Sequence, residues 1–199
     1  MTRAKTVYLA MALICAAGSA SAAPLSIVTV NAPAINCVFN ATCAVTVTDT
    51  IGDYPPKSGY TGVPRLQSRT YPGAAAAPAA GLIAFVYRVD FTSAAAATDV
   101  NCATDLKINF GPVVPLPYAA GGSADIFVVT TGGLGTIAPT SATQVGNFVT
   151  FNFATPVCPG QTSFFFGLAS HSDPHDVTAK SSLTYGGGEV SVPARAPAH

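Results

Sequence analysis

Residues 82–91 give the clearest β-strand pattern in this sequence. An extended strand points successive side chains to opposite sides, so a period of two predicts a strand rather than a helix. The two sets that would face opposite ways are Ala84, Val86, Arg88 and Asp90, and Phe85, Tyr87, Val89 and Phe91. Shorter runs that we also interpret as strands lie at residues 25–30, 44–48, 106–110, 126–130, 148–153 and 163–168.

Glycine and proline separate these runs, with 18 glycines and 16 prolines in the chain, and no amphipathic helix is predicted. Two weaker strands are expected at residues 182–185 and 189–192. About eight to ten short strands with such turns indicate an all-β fold, a single-domain antiparallel β-sandwich of the Ig-like or jelly-roll-like kind. We predict a long Gly/Pro/Ala-rich loop at residues 52–80 and a flexible tail at 193–199.

The first 22 residues have the pattern of a secretory signal peptide. Arg3 and Lys5 precede an apolar run at residues 7–17, and Ala20-Ser21-Ala22 supplies small residues for cleavage before Ala23. The apolar run is too short to cross a bilayer, and no later uninterrupted apolar segment reaches the ~18 residues of a membrane helix. We therefore predict a secreted domain at residues 23–199, extracellular or periplasmic, with no membrane span.

Four cysteines follow the predicted cleavage site: Cys37, Cys43, Cys102 and Cys158. An even number of cysteines in an exported chain indicates two disulfides, for which three pairings are possible. We favour Cys37–Cys43 with Cys102–Cys158, because a short loop closes easily and the second bridge would link distant strands. A zinc site is the alternative, but the sequence contains no C-x-x-C pair.

Charged residues make up only 9% of the chain. Without Arg3 and Lys5, seven of the nine basic residues remain against nine acidic ones, which excludes a nucleic-acid-binding surface. A nearly neutral surface tolerates close packing with neighbours, so self-assembly or contact with other surface proteins is one interpretation. The other is a secreted domain whose surface polarity comes from Thr, Ser, Asn and Gly.

The densest polar cluster, at residues 171–176, follows a strand predicted to be buried on both faces. His171, Asp173, His175 and Asp176 offer nitrogen and oxygen ligands for a divalent metal, the one cofactor that the sequence suggests. The alternative is a solvated turn that Asp173 initiates before Pro174.

Tyr54, Tyr60 and Tyr71 lie within the predicted long loop. Exposed aromatic side chains stack on sugar rings or anchor protein contacts, so these three are candidate ligand contacts. The chain has no Trp, which weakens a carbohydrate interpretation. The alternative is that the tyrosines cover an edge of the core.

Motifs for catalysis are absent from the sequence, which lacks G-x-S-x-G, H-E-x-x-H and a P-loop. Gly133-Leu-Gly-Thr-Ile-Ala138 has the spacing of a dinucleotide-binding motif, but Pro139 would break the helix that must follow, so we interpret it as a turn. We therefore expect a non-enzymatic protein.

The C-terminal third resembles the end of exported bacterial β-sandwich domains such as those of PEP-CTERM surface proteins. The segments that carry the resemblance are residues 151–157, 160–170 and 190–197. The chain departs from that group because it lacks the Pro-Glu-Pro motif, the membrane helix and the terminal Arg cluster. The resemblance implies a bacterial extracellular β-sandwich.

From these observations we expect a secreted, non-enzymatic structural, surface or adhesive protein. An extracellular module that binds carbohydrate or a divalent metal is the alternative, and an exported hydrolase is the third hypothesis.

Overall fold

The structure is a computed structural model that describes residues 21–55, 60–96, 102–183 and 188–199. Most of the predicted signal peptide, residues 1–20, lies outside the described residues. The described part contains one helix and sixteen strands. The helix is α1 (Ala32–Phe39), and the strands are β1 (Ala23–Leu25), β2 (Ile27–Asn31), β3 (Thr48–Asp53), β4 (Tyr60–Thr61), β5 (Arg65–Pro72), β6 (Ile83–Asp90), β7 (Ala95–Ala96), β8 (Ala103–Asn109), β9 (Leu116–Ala119), β10 (Gly122–Ala124), β11 (Ile126–Thr131), β12 (Ser141–Val145), β13 (Phe148–Val157), β14 (Phe165–Ser170), β15 (Pro174–Leu183) and β16 (Gly188–Pro197).

Two six-stranded sheets form the body of the fold. Sheet A has the order β1-β12-β13-β8-β15-β16, and all its neighbours are antiparallel. Sheet B has the order β2-β11-β14-β6-β5-β3, in which β2 runs parallel to β11 and the other pairs are antiparallel. Two short pairs, β9-β10 and β4-β7, complete the strands.

The main core fills the space between the two sheets, as the predicted alternation requires. Phe85, Tyr87 and Val89 of β6 are fully buried there, against residues of sheet A such as Phe151. The rings of Tyr87 and Phe151 lie 6.1 Å apart, one ring from each sheet. The prediction of an all-β sandwich is confirmed, although the structure has more strands than the eight to ten expected.

A second, smaller core lies on the outer face of sheet B, the face turned away from sheet A. Ile35, Val38 and Phe39 of α1 are buried on it, spaced as one apolar stripe of a helix. Pro33 stands at the start of this helix, where its missing N–H costs nothing. The sequence patterns did not predict α1, because eight residues are too few to show a clear helical period.

The predicted loop at residues 52–80 is wrong in its centre, where β5 pairs with β6 through eight residues. Leu66, Ser68 and Thr70 of β5 are buried, whereas Gln67 and Arg69 are half-buried. The small polar residues Ser68 and Thr70 occupy interior positions, so hydrophobicity alone hides the strand's period of two. The strand expected at 44–48 lies further along the chain, at β3.

The predicted flexible tail at residues 193–199 is also wrong. Residues 193–197 belong to β16, which pairs with β15 from Gly188 to Pro197. Ala194 and Ala196 are fully buried, and the Tyr87 hydroxyl donates a hydrogen bond to the Arg195 carbonyl. The alternating interior positions 194 and 196 carry alanine, a small residue that gives no strong strand signal.

Residues 23–31 contribute one strand to each sheet, β1 to sheet A and β2 to sheet B. Ser26 lies between them and is held at the start of β11. Its backbone N–H and its hydroxyl both donate to the Asp125 carboxylate, at 2.8 and 2.7 Å. One short segment therefore joins the two layers.

Candidate functional site

Both predicted disulfides are present, with the favoured pairing of Cys37 with Cys43 and Cys102 with Cys158. The first ties α1 to the segment that follows it. The second joins the residue before β8 to the residue after β13. Disulfides persist in oxidising compartments, so the pair indicates an extracellular or periplasmic environment. Among the described residues, no helix is long and apolar enough to cross a membrane.

The predicted metal cluster does not form. The described residues contain no group of three His, Cys, Asp or Glu side chains that could hold a metal ion. His175 and Asp176 are consecutive in β15, so the strand points them to opposite sides. Asp176 instead accepts a hydrogen bond from the Thr50 hydroxyl at 3.2 Å and lies 3.9 Å from Arg195, while His171 and Asp173 are exposed in the preceding turn.

The predicted tyrosine contacts are wrong for the two side chains that the structure describes. Tyr54 is buried at the edge of the main core, 2.8 Å from the Ser181 hydroxyl. Tyr71 is buried on the outer face of sheet B, where its ring meets Phe39 edge-on at 5.1 Å. The side chain of Tyr60 lies outside the described residues. Tyrosine in this region covers the core, which was the alternative interpretation.

Burial raises the pKa of four phenol groups, those of Tyr54, Tyr71, Tyr87 and Tyr118. Loss of water around the charged phenolate is the main cause in each case, because a buried anion loses its hydration. The four hydroxyls therefore stay protonated at neutral pH, and those of Tyr54 and Tyr87 make hydrogen bonds, with the Ser181 hydroxyl and the Arg195 carbonyl.

A groove with a cavity volume of about 580 Å³ crosses the outer face of sheet B where α1 leaves it uncovered. The strands β11, β14, β6 and β5 form its floor, with α1, residues 45–47 and the turn at 132–134 as its walls. We call it the outer groove. Its lining is mainly apolar and includes Ile35, Val45, Val86, Phe127, Val129 and Phe165.

The rim of the outer groove carries exposed apolar side chains. Val47 and Leu134 line it and are 39% and 60% exposed. Ile51, 48% exposed, pairs in register with the groove residue Gln67 on the neighbouring strand. Three of the five exposed large apolar side chains in the described residues therefore lie at or beside this groove.

The turn that carries Leu134 is fixed by Gly135. Its φ is +108°, and a Cβ atom there would lie 2.1 Å from the Ser163 carbonyl oxygen. Only glycine can take this conformation at such a close approach. The turn expected from the false dinucleotide motif is thus a wall of the groove.

Two arginines meet one aromatic ring in the floor of the groove. Arg69 Cζ lies 4.3 Å, and Arg88 Cζ 5.1 Å, from the centroid of the Phe165 ring. Arg69 is on β5, Arg88 on β6 and Phe165 on β14, three neighbouring strands of sheet B. Stacking of a guanidinium on a ring is favourable, and it orients the cation.

Each arginine also has an acidic neighbour on its far side. Arg69 Nε donates to Asp49 Oδ1 at 3.0 Å, and Arg88 Nη2 lies 2.8 Å from Asp90 Oδ2. Neither aspartate lines the groove. The charged groups that reach the cavity from its lining are thus the two guanidinium groups.

Sequence reasoning missed this site for two different reasons. Arg69 falls in the segment predicted to be loop. Arg88 was placed on the correct strand face, together with Ala84 and Val86. A charged residue on an otherwise apolar strand face was the available signal, but the sequence did not show which other residues would surround it.

Comparison of the chain with protein-family models, curated proteins and solved structures finds no match.

Proposed function

We propose that the protein is a secreted, non-enzymatic binding protein that holds a small molecule with an apolar body in the outer groove. The observation that carries this proposal is an apolar groove with exposed apolar side chains at its rim. Exposed apolar side chains that are scattered singly over a surface are normal. Exposed apolar side chains concentrated in one patch mark an interaction site.

The size and chemistry of the groove support a small-molecule ligand. Its volume of about 580 Å³ falls within the range of ligand pockets, which are mostly apolar with a few polar groups. The polar side chains that line it, such as Asn36 and Gln67, offer amide groups, and Arg69 and Arg88 offer guanidinium groups. Amide and guanidinium groups can bind and orient a ligand by hydrogen bonds.

The absence of Trp from the chain allows a direct test. Leu134→Trp places a single Trp at the groove rim, and Phe148→Trp places one on β13 of sheet A as a matched control. Titration with decanol should change the Trp emission of the first variant and leave that of the second unchanged. Equal responses, or none from the rim variant, would contradict binding in the groove.

A second proposal is assembly with other copies or with surface proteins, the structural or adhesive role expected from the sequence. The hairpin of β12 and β13 supports it, because Val145 and Phe148 face each other across the turn and are each 42% exposed. Light scattering over a concentration series should show growth that Phe148→Ser reduces. Leu134→Ser is the control, with an exposed apolar side chain in the turn after β11 of sheet B, and equal effects of both would remove the proposal.

A further inference from the structure

Arg88 holds a hydrogen-bond donor for which the protein supplies no acceptor. Its Nη2 side is occupied by Asp90, but its Nε is buried and has no hydrogen-bond partner. Unpaired buried donors are rare in folded proteins, and each calls for an explanation. Arg88 lines the cavity and its side chain is 15% exposed, so a rotation of the guanidinium group would bring this covered donor to an acceptor beside Phe165.

Arg69 shows which acceptor fits. Its Nε and Nη2 donate to the two oxygens of Asp49, at 3.0 and 3.4 Å. A planar carboxylate matches the fork of guanidinium donors, which gives such pairs their geometric specificity. Asp49 comes from β3, the edge strand of sheet B, and its side chain is 36% exposed. The pair is therefore open to competition from a second carboxylate.

The two charged side chains of the groove lie toward one end, and the opposite end is apolar. Arg69 and Arg88 are on β5 and β6, whereas Val129 and the Leu134 turn belong to β11 and the segment after it. In the order of sheet B, β14 stands between these two pairs of elements. A ligand that satisfies both ends needs an anionic head and an apolar tail.

We infer that the ligand of the outer groove is an amphipathic monocarboxylate. Its carboxylate accepts from Arg88 and competes with Asp49 for Arg69, and its tail lies toward Val129 and Leu134. Arg88 and Arg69 are then the residues that determine specificity. This inference rests on the proposed function, which requires only that an apolar molecule occupies the groove.

Three probes with the same alkyl chain test the head group: decanoate, decanol and decyltrimethylammonium. Calorimetric titration of the oxidised protein should give a dissociation constant for decanoate about tenfold or more below that of decanol, because a charged hydrogen bond replaces a neutral one. The cationic probe should bind most weakly. Equal dissociation constants for decanoate and decanol would overturn the carboxylate inference and leave the proposed function standing.

Arginine variants locate the effect. Arg88→Gln should remove the preference for decanoate, so that the ratio of the decanol and decanoate dissociation constants approaches one. Arg65→Gln is the matched control, because Arg65 is on β5 with its own partner Asp53 but does not line the groove. If Arg88→Gln fails to fold, Arg88→Lys keeps the charge and removes Nε, and it should lose part of the decanoate preference. An unchanged preference in a folded Arg88 variant would contradict the inference.

Removal of the Asp49 carboxylate, which competes for Arg69, should strengthen decanoate binding. Misfolding would weaken binding, so it cannot explain such a gain. Asp49→Asn should lower the decanoate constant several-fold, whereas Asp53→Asn, on the same face of β3, should leave it unchanged. Weaker decanoate binding by Asp49→Asn would count against competition at Arg69. If none of the three probes binds, the proposed function itself fails, and this result differs from equal binding of all three.

Discussion

Consecutive residues of β14 lie on opposite faces of sheet B, and the two faces are different environments. Phe166 points between the sheets and is fully buried, with rings of Phe151 and Phe153 within 5.8 Å. Phe165 points outward, is half-buried, and is covered by two arginines instead of a second sheet. The inner face is closed by a complete partner layer, whereas the outer face has only a short helix and loops, which leave a groove.

This difference means that apolar residues on the two faces of one sheet contribute different amounts to the free energy of unfolding. Burial between two sheets removes the whole side chain from water, and its free-energy contribution grows with the area removed. A half-covered residue contributes less and remains available to a ligand. The variants that follow compare the two faces.

The largest expected effect is that of Phe166→Ala. Removal of a buried ring from the inner face should lower the free energy of unfolding by about 3–5 kcal/mol. Phe165→Ala, one residue earlier, should cost clearly less, because part of its ring is already solvated and the outer groove can relax. Urea unfolding followed by circular dichroism measures both, and equal losses would mean that the outer face is packed as tightly as the inner one.

Loss of the disulfide in the main sandwich should lower the free energy of unfolding more than loss of the disulfide beside the groove. Cys102 and Cys158 are 56 residues apart and close a long loop of the main sandwich, whereas Cys37 and Cys43 are 6 apart beside the groove. In the chain-entropy description, replacing the first pair by serine costs about 4 kcal/mol and replacing the second about 2 kcal/mol. Thermal unfolding of the two double variants measures both losses of stability. A larger loss in the Cys37–Cys43 variant would contradict the prediction.

Gly167 lies on the outer face of sheet B and allows a comparison of the closely packed part of that face with the wall of the groove. A Cβ atom there would lie 2.6 Å from the Phe85 carbonyl oxygen and 2.7 Å from Phe127 Cζ, so backbone and ring would both have to move. We expect Gly167→Ala to cost about 1–3 kcal/mol. Gly133→Ala in the groove wall is the control, because its close neighbour is the Val129 Cγ1 methyl at 2.9 Å, a side chain in a half-open site. A similar loss in both would show that the groove wall is as rigid as the sheet.

The smallest effect should appear only at alkaline pH. Burial raises the pKa of Tyr87 on the inner face and of Tyr71 on the outer face above the ordinary value of about 10. Above that pH the unfolded chain releases phenol protons that the folded chain retains. The contribution of these tyrosines to the free energy of unfolding is therefore constant below about pH 10. It falls as pH rises further, by at most ~1.4 kcal/mol per pH unit for each tyrosine. Tyr87→Phe should reduce this slope in urea unfolding measured across the alkaline range, and an unaltered slope would refute its contribution.

The fold class was predictable from the sequence because side-chain alternation survives wherever large residues occupy the interior. Phe85, Tyr87 and Val89 mark β6 clearly, and the two disulfides followed from cysteine spacing. In β5 and β16 several interior positions hold Ser68, Thr70 or alanine, and these small or polar residues hide the period. The candidate site was out of reach because it depends on the neighbourhood of β14, β6 and β5, and strand order is not encoded in any one segment.

The strands β1 and β2 pair with segments that lie far along the chain. Ala23 pairs with Gln144, and Ile27 with Ile126, so the first described strands meet partners roughly 100 positions later. Such distant pairings belong to chains that fold in milliseconds to seconds rather than microseconds. During synthesis, sheet B remains incomplete until Ser170 has been made, and sheet A remains incomplete until Pro197 has been made. The topology thus places the completion of both sheets late in the synthesis of the chain.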